Sequence, residues 1–116
     1  MTAANYDLTV EAGATWNLIL TLKNDAVAVD LSNYTARMMV RPYASSPVLF
    51  ISLTSAALGG ITLGGVAGTI TIDRTATQTA TYKFASGVYD IEIQSAGGTV
   101  TRIMEGVFTV SPEVTR

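Results

Sequence analysis

The chain has 116 residues, of which 48% are apolar and 14% charged, and it contains neither cysteine nor histidine. These absences exclude disulfides, thiolate chemistry, imidazole-based catalytic triads and ordinary zinc sites. The net charge of −2 comes from single, scattered charges and leaves no basic stripe for a nucleic acid. With no apolar run of about 18 residues and no leader-like start, we expect no membrane partner and synthesis in a cytoplasm.

The length suits one domain with one core. The charged share is low, because an ordinary soluble domain is about one-quarter charged. We therefore expect partners to cover part of the surface. Residues 1–110 are predicted to form a single domain and residues 111–116 a C-terminal tail.

Residues 16–22 carry the first clear signal, a period of two that is typical of a half-buried strand. Trp16, Leu18, Leu20 and Leu22 fall on one face of this strand. Residues 24–26 are turn formers and predict a hairpin with a short return strand.

Residues 34–41 alternate in the same way and place Arg37 and Arg41 on one face, and Pro42 ends the strand. We expect these arginines to pair with carboxylates of the last hairpin or of another chain. Residues 48–54 are apolar on both faces, which predicts a strand that is covered on both sides or engaged by a partner. Phe50 and Ile51 are its candidate contact residues.

The glycine-rich stretch 59–68 lacks the lysine of a phosphate-binding loop and runs into a strand rather than a helix. It predicts flexible turns around a short strand, followed by a second strand that completes a hairpin. Residues 74–84 show no period and predict a connection with one helical turn.

Residues 88–94 alternate cleanly, with Tyr89, Ile91 and Ile93 inward, and residues 96–99 form a glycine-dependent hairpin turn. The returning strand, 100–110, carries Arg102 and Glu105 out of phase with a period of two. A bulge near residues 103–106 would restore the phase. Together the pattern predicts an all-β, immunoglobulin-like two-sheet β-sandwich of seven or eight strands.

Carboxylates and aromatic side chains are the remaining candidates for chemistry. Asp90, Glu92 and Glu105 could cluster on the last hairpin, and the loop carboxylates lack the spacing of a calcium site. Trp16, Tyr34 and Tyr89 could stack on a sugar, but Trp16 and Tyr89 are in phase with apolar neighbours and are expected in the core. We predict no catalytic, cofactor-binding or metal-binding residues, no cofactor and no enzyme activity.

Four segments together carry a resemblance to a known family: residues 11–16 (EAGATW), 29–41 (VDLSNYTARMMVR), 87–93 (GVYDIEI) and 105–116 (EGVFTVSPEVTR). In this order they resemble small structural proteins of tailed bacteriophages, and are similar to the N-terminal module of phage upper-baseplate proteins. Those baseplate proteins continue into a second, receptor-binding-protein-carrying region. Because residues 1–116 resemble only the N-terminal module, we do not expect them to anchor a receptor-binding protein directly. The resemblance implies an immunoglobulin-like sandwich that serves as a tail or baseplate part of the virion.

The expected function is that of a non-catalytic adaptor. The protein would be synthesised in the host cytoplasm, be present in many copies and dock on neighbouring virion proteins of a symmetric assembly. Capsid decoration or a head-fibre base, and a glycan-binding adsorption module, remain open as alternatives. The candidate protein-binding residues lie on the two predicted strands and the tail: Arg37, Arg41, Phe50, Ile51, Pro112, Glu113, Val114 and Arg116.

Overall fold

The structure, a computed structural model, describes residues 3–116. It is all-β apart from one short helix, α1 (Ala76–Thr79), and one 3-10 turn at Gly65–Ala67. The described part of the chain contains eleven strands: β1 (Ala4–Asn5), β2 (Leu8–Glu11), β3 (Trp16–Thr21), β4 (Lys23–Asn24), β5 (Val27–Ala28), β6 (Thr35–Arg41), β7 (Ile51–Thr54), β8 (Ile61–Leu63), β9 (Thr69–Arg74), β10 (Ser86–Gln94) and β11 (Val100–Ser111).

The larger sheet has the order β1-β11-β10-β6-β7, and β2 also pairs with β11. Both β1 and β2 run parallel to β11, while the other neighbours in this sheet are antiparallel. The chain bends between β1 and β2, where Asp7 Oδ1 accepts a hydrogen bond from the Val107 amide at 2.9 Å. The N-terminal segment therefore forms one edge of this sheet as two short consecutive strands.

The smaller sheet has the order β3-β9-β8, all antiparallel. Beside it, β4 and β5 form a two-stranded hairpin. The central turn residues of this hairpin, Asp25 and Ala26, have φ of 51° and 66°. Positive φ at both positions is the turn geometry that matches the twist of paired strands, so the predicted turn at residues 24–26 is confirmed.

One hydrophobic core joins the two sheets, an arrangement that is compatible with the predicted β-sandwich. Alternation decides its membership, since inward residues of β6 and β10 are buried while their neighbours are not. The buried apolar residues are Leu8, Val10, Leu31, Ala36, Met38, Val40, Ile51, Leu53, Ile61, Ile70, Ile72, Tyr89, Ile91, Ile93, Ile103, Phe108 and Val110.

Aromatic rings close one end of this core around Phe108, which is fully buried. The Trp16 ring meets Phe108 edge-on, with centroids 5.6 Å apart, and Phe84 lies 6.0 Å from it. Phe50 stacks on Phe84 with centroids 4.2 Å apart. The core positions expected for Trp16 and Tyr89 are confirmed, although Trp16 remains half-buried.

The predicted bulge in the last strand is confirmed. Ile91 pairs with Met104 and Glu92 pairs with Arg102, so Ile103 is the extra residue of β11. The helical turn predicted within residues 74–84 is α1. Its buried Thr79 donates a hydrogen bond to the Ala14 carbonyl at 2.8 Å and accepts one from the Gly13 amide at 3.1 Å, which ties α1 to the loop before β3.

Three expectations need correction. The described residues form eleven strands rather than seven or eight, because residues 4–11 add two strands and a break after Thr21 makes β4 a separate strand from β3. The predicted strand at residues 48–54 is shorter, since β7 begins at Ile51, and it is an edge strand with only one buried face. The last strand runs through Ser111, so the irregular tail begins at Pro112.

Candidate protein-binding surfaces

The outer face of the larger sheet carries a row of paired charges. The register places Arg37 opposite Glu92 and Glu92 opposite Arg102, and in the next row Asp90 opposite Glu105. Arg37 Nε donates to Glu92 Oε1 at 2.9 Å. Arg102 lies 3.4 Å from Asp90 Oδ2 and 3.7 Å from Glu105 Oε1. Arg37 therefore pairs with a carboxylate of the last hairpin, one of the two kinds of partner expected from the sequence, and Arg102 is paired on the same face.

Asp90 sits at the centre of these charges. Partial burial raises the pKa of its carboxyl above the ordinary 3.8, and the like charge of Glu92 adds to the rise, while Arg102 opposes it. The crowded carboxylates do not assemble a metal site: within residues 3–116 no three acidic, histidine or cysteine side chains come together to hold an ion. The cluster is a charge network on a sheet surface.

Arg41, on the same face of β6, makes no ion pair within residues 3–116 and instead braces the loop between β6 and β7. Its Nη1 donates to the Ser46 carbonyl at 3.2 Å and to the Val48 carbonyl at 3.4 Å. Ser46 is buried, and its hydroxyl accepts a hydrogen bond from the Val48 amide at 3.0 Å. A planar guanidinium with several donors can bind two carbonyls at once, so Arg41 constrains the shape of the loop.

The loop that Arg41 braces, residues 42–50, presents apolar side chains to solvent. Tyr43 is 59% exposed, Val48 51% and Leu49 44%. Phe50 closes the loop by stacking on Phe84, so one ring face is already covered. We call residues 42–50 the braced loop. The sequence predicted a contact strand at residues 48–54, and residues 48–50 of that prediction belong to the end of this loop instead.

Ile51 is not part of this surface. Its side chain is only 6% exposed and belongs to the core. The sequence of residues 48–54 is apolar on both faces because it combines the end of an exposed apolar loop, residues 48–50, with a strand that has one buried face. The structure therefore moves the candidate contact residues from Ile51 to Tyr43, Val48 and Leu49.

The tail folds back beside the start of the domain. The Ser111 carbonyl accepts a hydrogen bond from the Ala12 amide at 2.9 Å, and Arg116 Nη1 donates to the Glu113 carbonyl at 2.7 Å. The Glu113 carboxylate lies against Gly13, where an added Cβ would overlap Oε2. Val114 is almost fully exposed. Pro112 and Arg116 line a groove of about 380 Å³ together with Tyr82 and Phe84.

The outer face of the smaller sheet was missed by sequence reasoning. The register gathers hydroxyl, amide and apolar side chains there, with Ile19 opposite Thr71 and Thr71 opposite Thr62. Its one charged group, Asp73, accepts a hydrogen bond from the Asn17 amide. The signal in the sequence was Ile19 itself, an apolar residue on the otherwise polar face of a strand.

The glycine-rich stretch forms β8 and turns, as predicted. It borders an open groove of about 960 Å³, which is lined by Thr54, Ser55, Ile61 and Arg74 among others. Arg74 is engaged there, since its guanidinium donates to the Leu58 and Asp73 carbonyls. The groove is shallow and chiefly lined by small side chains and hydroxyls.

No protein-family model matches the chain, and no curated protein matches it significantly. Among residues 3–116 no helix is long and apolar enough to cross a membrane.

Proposed function

We propose that this protein is a rigid, non-catalytic protein-binding module that serves as a structural or adaptor part of a tailed-phage virion. Its position would be in the tail or baseplate, as the resemblance of residues 11–16, 29–41, 87–93 and 105–116 implies. Its partners would be neighbouring virion proteins.

We further propose that the sandwich is immunoglobulin-like. Support comes from the strand order, because β11, β10, β6 and β7 follow one another as strands G, F, C and C′ do in variable-type domains. The smaller sheet, β3-β9-β8, corresponds to strands B, E and D. The parallel pairing of β2 with β11 adds an N-terminal edge strand beside G.

The braced loop is the observation that carries the binding function. A flexible loop loses conformational entropy when it binds, and a loop held in one shape before binding avoids much of this cost. Arg41 holds residues 42–50 in place while Tyr43, Val48 and Leu49 stay exposed. Exposed apolar side chains on a preorganised loop favour burial against another protein.

A virion provides the setting in which such a small surface is sufficient. A contact built from three or four side chains is weak by itself. Many copies on a symmetric particle raise the effective concentration of each contact and convert weak binding into firm attachment.

The test is incorporation into particles. An epitope-tagged chain would be expressed during infection by the phage that encodes it, and its recovery in purified virions measured beside a Leu49→Asp variant. We expect wild-type chain in the particle and recovery of the variant reduced about tenfold or more, because a carboxylate in an apolar contact is desolvated without a partner.

Leu58→Asp is the matched control. Leu58 is 99% exposed beyond the other end of β7, and its φ of 63° suits aspartate. This variant should enter particles like wild type. Equal recovery of all three chains would refute the role of the braced loop, and absence of wild-type chain from virions would refute the virion placement.

A further inference from the structure

The smaller sheet ends in a strand whose outer edge has no neighbour. β3 pairs with β9 on one side, and no other strand of residues 3–116 pairs with it. The Leu22 amide donates to the Gly68 carbonyl at 2.8 Å, which fixes the phase of the ladder. The amides and carbonyls of Asn17, Ile19 and Thr21 therefore point away from β9.

This edge lacks the features that protect edge strands from pairing. Natural sheets guard their edges with prolines, charges, bulges or very short strands. Residues 12–22 contain no proline and no charge. β8, the other edge of this sheet, has only three residues. β7, an edge of the larger sheet, is hydrogen-bonded to the loop that follows it, because the Thr54 amide donates to the Gly59 carbonyl at 3.0 Å.

The core is also open beside this strand. The inward residues of β9, Ile70 and Ile72, are completely buried, whereas the inward residues of β3 are only half-buried. Trp16, Leu18 and Leu20 thus keep apolar surface in contact with water. A strand added at this edge would cover them with its own inward side chains.

We propose that the edge of β3 pairs antiparallel with β3 of a second copy of this chain, about a twofold axis at Ile19. The two smaller sheets then form one continuous six-stranded sheet. In this register Ile19 faces Ile19 of the second copy and Asn17 faces Thr21. On the inner side Leu18 faces Leu20, and Trp16 faces Leu22.

Self-complementarity is the reason to name a second copy as the occupant. Every inner pair in this register is apolar with apolar, and every outer pair is amide with hydroxyl or isoleucine with isoleucine. Lys23, the nearest charge, falls opposite Thr15, so no like charges meet. Ile19, which is 62% exposed, becomes covered by its own equivalent. This pairing does not depend on the proposed virion role.

Cysteine cross-linking tests the contact and its register, because the chain has no cysteine of its own. Opposed residues in a hydrogen-bonded antiparallel pair have Cα atoms about 5.5 Å apart, within the range of a disulfide. Purified Ile19→Cys would be oxidised in a glutathione buffer beside Val66→Cys, whose site is also exposed but lies outside the sheets. We expect Ile19→Cys to form covalent dimers about tenfold faster or more, since pairing raises the effective thiol concentration.

The register is tested with Asn17→Cys and Thr21→Cys. A mixture of the two should form the mixed dimer readily, while each alone should cross-link no faster than Val66→Cys. If Ile19→Cys only matches Val66→Cys, the proposed pairing is wrong. Preferential cross-linking of Asn17→Cys with itself would contradict the register.

Discussion

The two sheets of this protein share one core but present opposite surfaces. The outer face of the larger sheet carries three arginines and three carboxylates. Five of these six groups are joined by the ion pairs Arg37–Glu92, Arg102–Asp90 and Arg102–Glu105. The outer face of the smaller sheet is almost uncharged, and its β3 edge has backbone groups that no other strand in residues 3–116 pairs with. The comparison teaches that the larger sheet pairs most of its charges internally, whereas the smaller sheet has a free edge at which a second copy adds its own strand.

The largest expected effect comes from the core that holds the two sheets together. Phe108→Ala should lower the free energy of unfolding by about 3–5 kcal/mol, because it removes the ring at the centre of the aromatic cluster and leaves a cavity. Chemical denaturation measures this loss. Val107→Ala, at the exposed neighbouring position, should cost less than about 1 kcal/mol. Equal losses would mean that the sheets do not share this core.

A pair of glycines compares the two sheets directly. Gly68, before β9 of the smaller sheet, and Gly98, in the β10–β11 turn of the larger, both have positive φ, of 70° and 93°. A Cβ at Gly68 would lie 2.8 Å from the Leu22 carbonyl oxygen, whereas one at Gly98 meets nothing. Both alanine variants should lose about 1 kcal/mol from backbone strain.

Gly68→Ala should lose about 1–3 kcal/mol more than Gly98→Ala, because its methyl group overlaps backbone oxygens. Thermal unfolding of the two variants side by side measures the difference. Similar losses would show that the junction between β3 and β9 yields easily, and that the smaller sheet is less firmly held than its geometry indicates.

The smallest effect concerns the charged face of the larger sheet. Because the pKa of Asp90 is raised in the folded state, the folded protein binds its proton more tightly than the unfolded chain does. The Asp90 contribution to stability therefore falls as pH rises from 3.8 through the raised pKa. Asp90→Asn should remove this component.

Unfolding measured across that pH range in wild type and Asp90→Asn tests the sign. The difference in stability between the two should shift in favour of the variant as pH rises, and it should be small because Asp90 is partly solvated. A shift in favour of wild type would mean that the pairing with Arg102 outweighs burial.

Local patterns predicted much of this fold. The alternation around Tyr89, Ile91 and Ile93 predicted β10 and its inward face, and the out-of-phase Arg102 and Glu105 predicted the bulge at Ile103. β2 was missed, although Leu8 and Val10 alternate with polar residues, because four residues give too short a period to recognise. Ile51 was misplaced because a pattern shows apolarity but not which neighbours cover it.

The candidate surfaces were harder to predict for a physical reason. The bracing of residues 42–50 depends on Arg41 reaching two carbonyls, and the free edge of β3 depends on which strands fail to pair with it. Both properties arise from long-range contacts. A sequence period describes one strand and contains no information on its neighbours.

Amide hydrogen exchange along β3 tests the central claim, that the smaller sheet is extended by a second copy. At low protein concentration the amides of Leu18 and Leu20 should be protected and those of Asn17, Ile19 and Thr21 should exchange freely. As the concentration rises, the second group should become protected while the first stays unchanged. If Asn17, Ile19 and Thr21 remain unprotected at the highest concentration, the edge of β3 does not pair with a second copy.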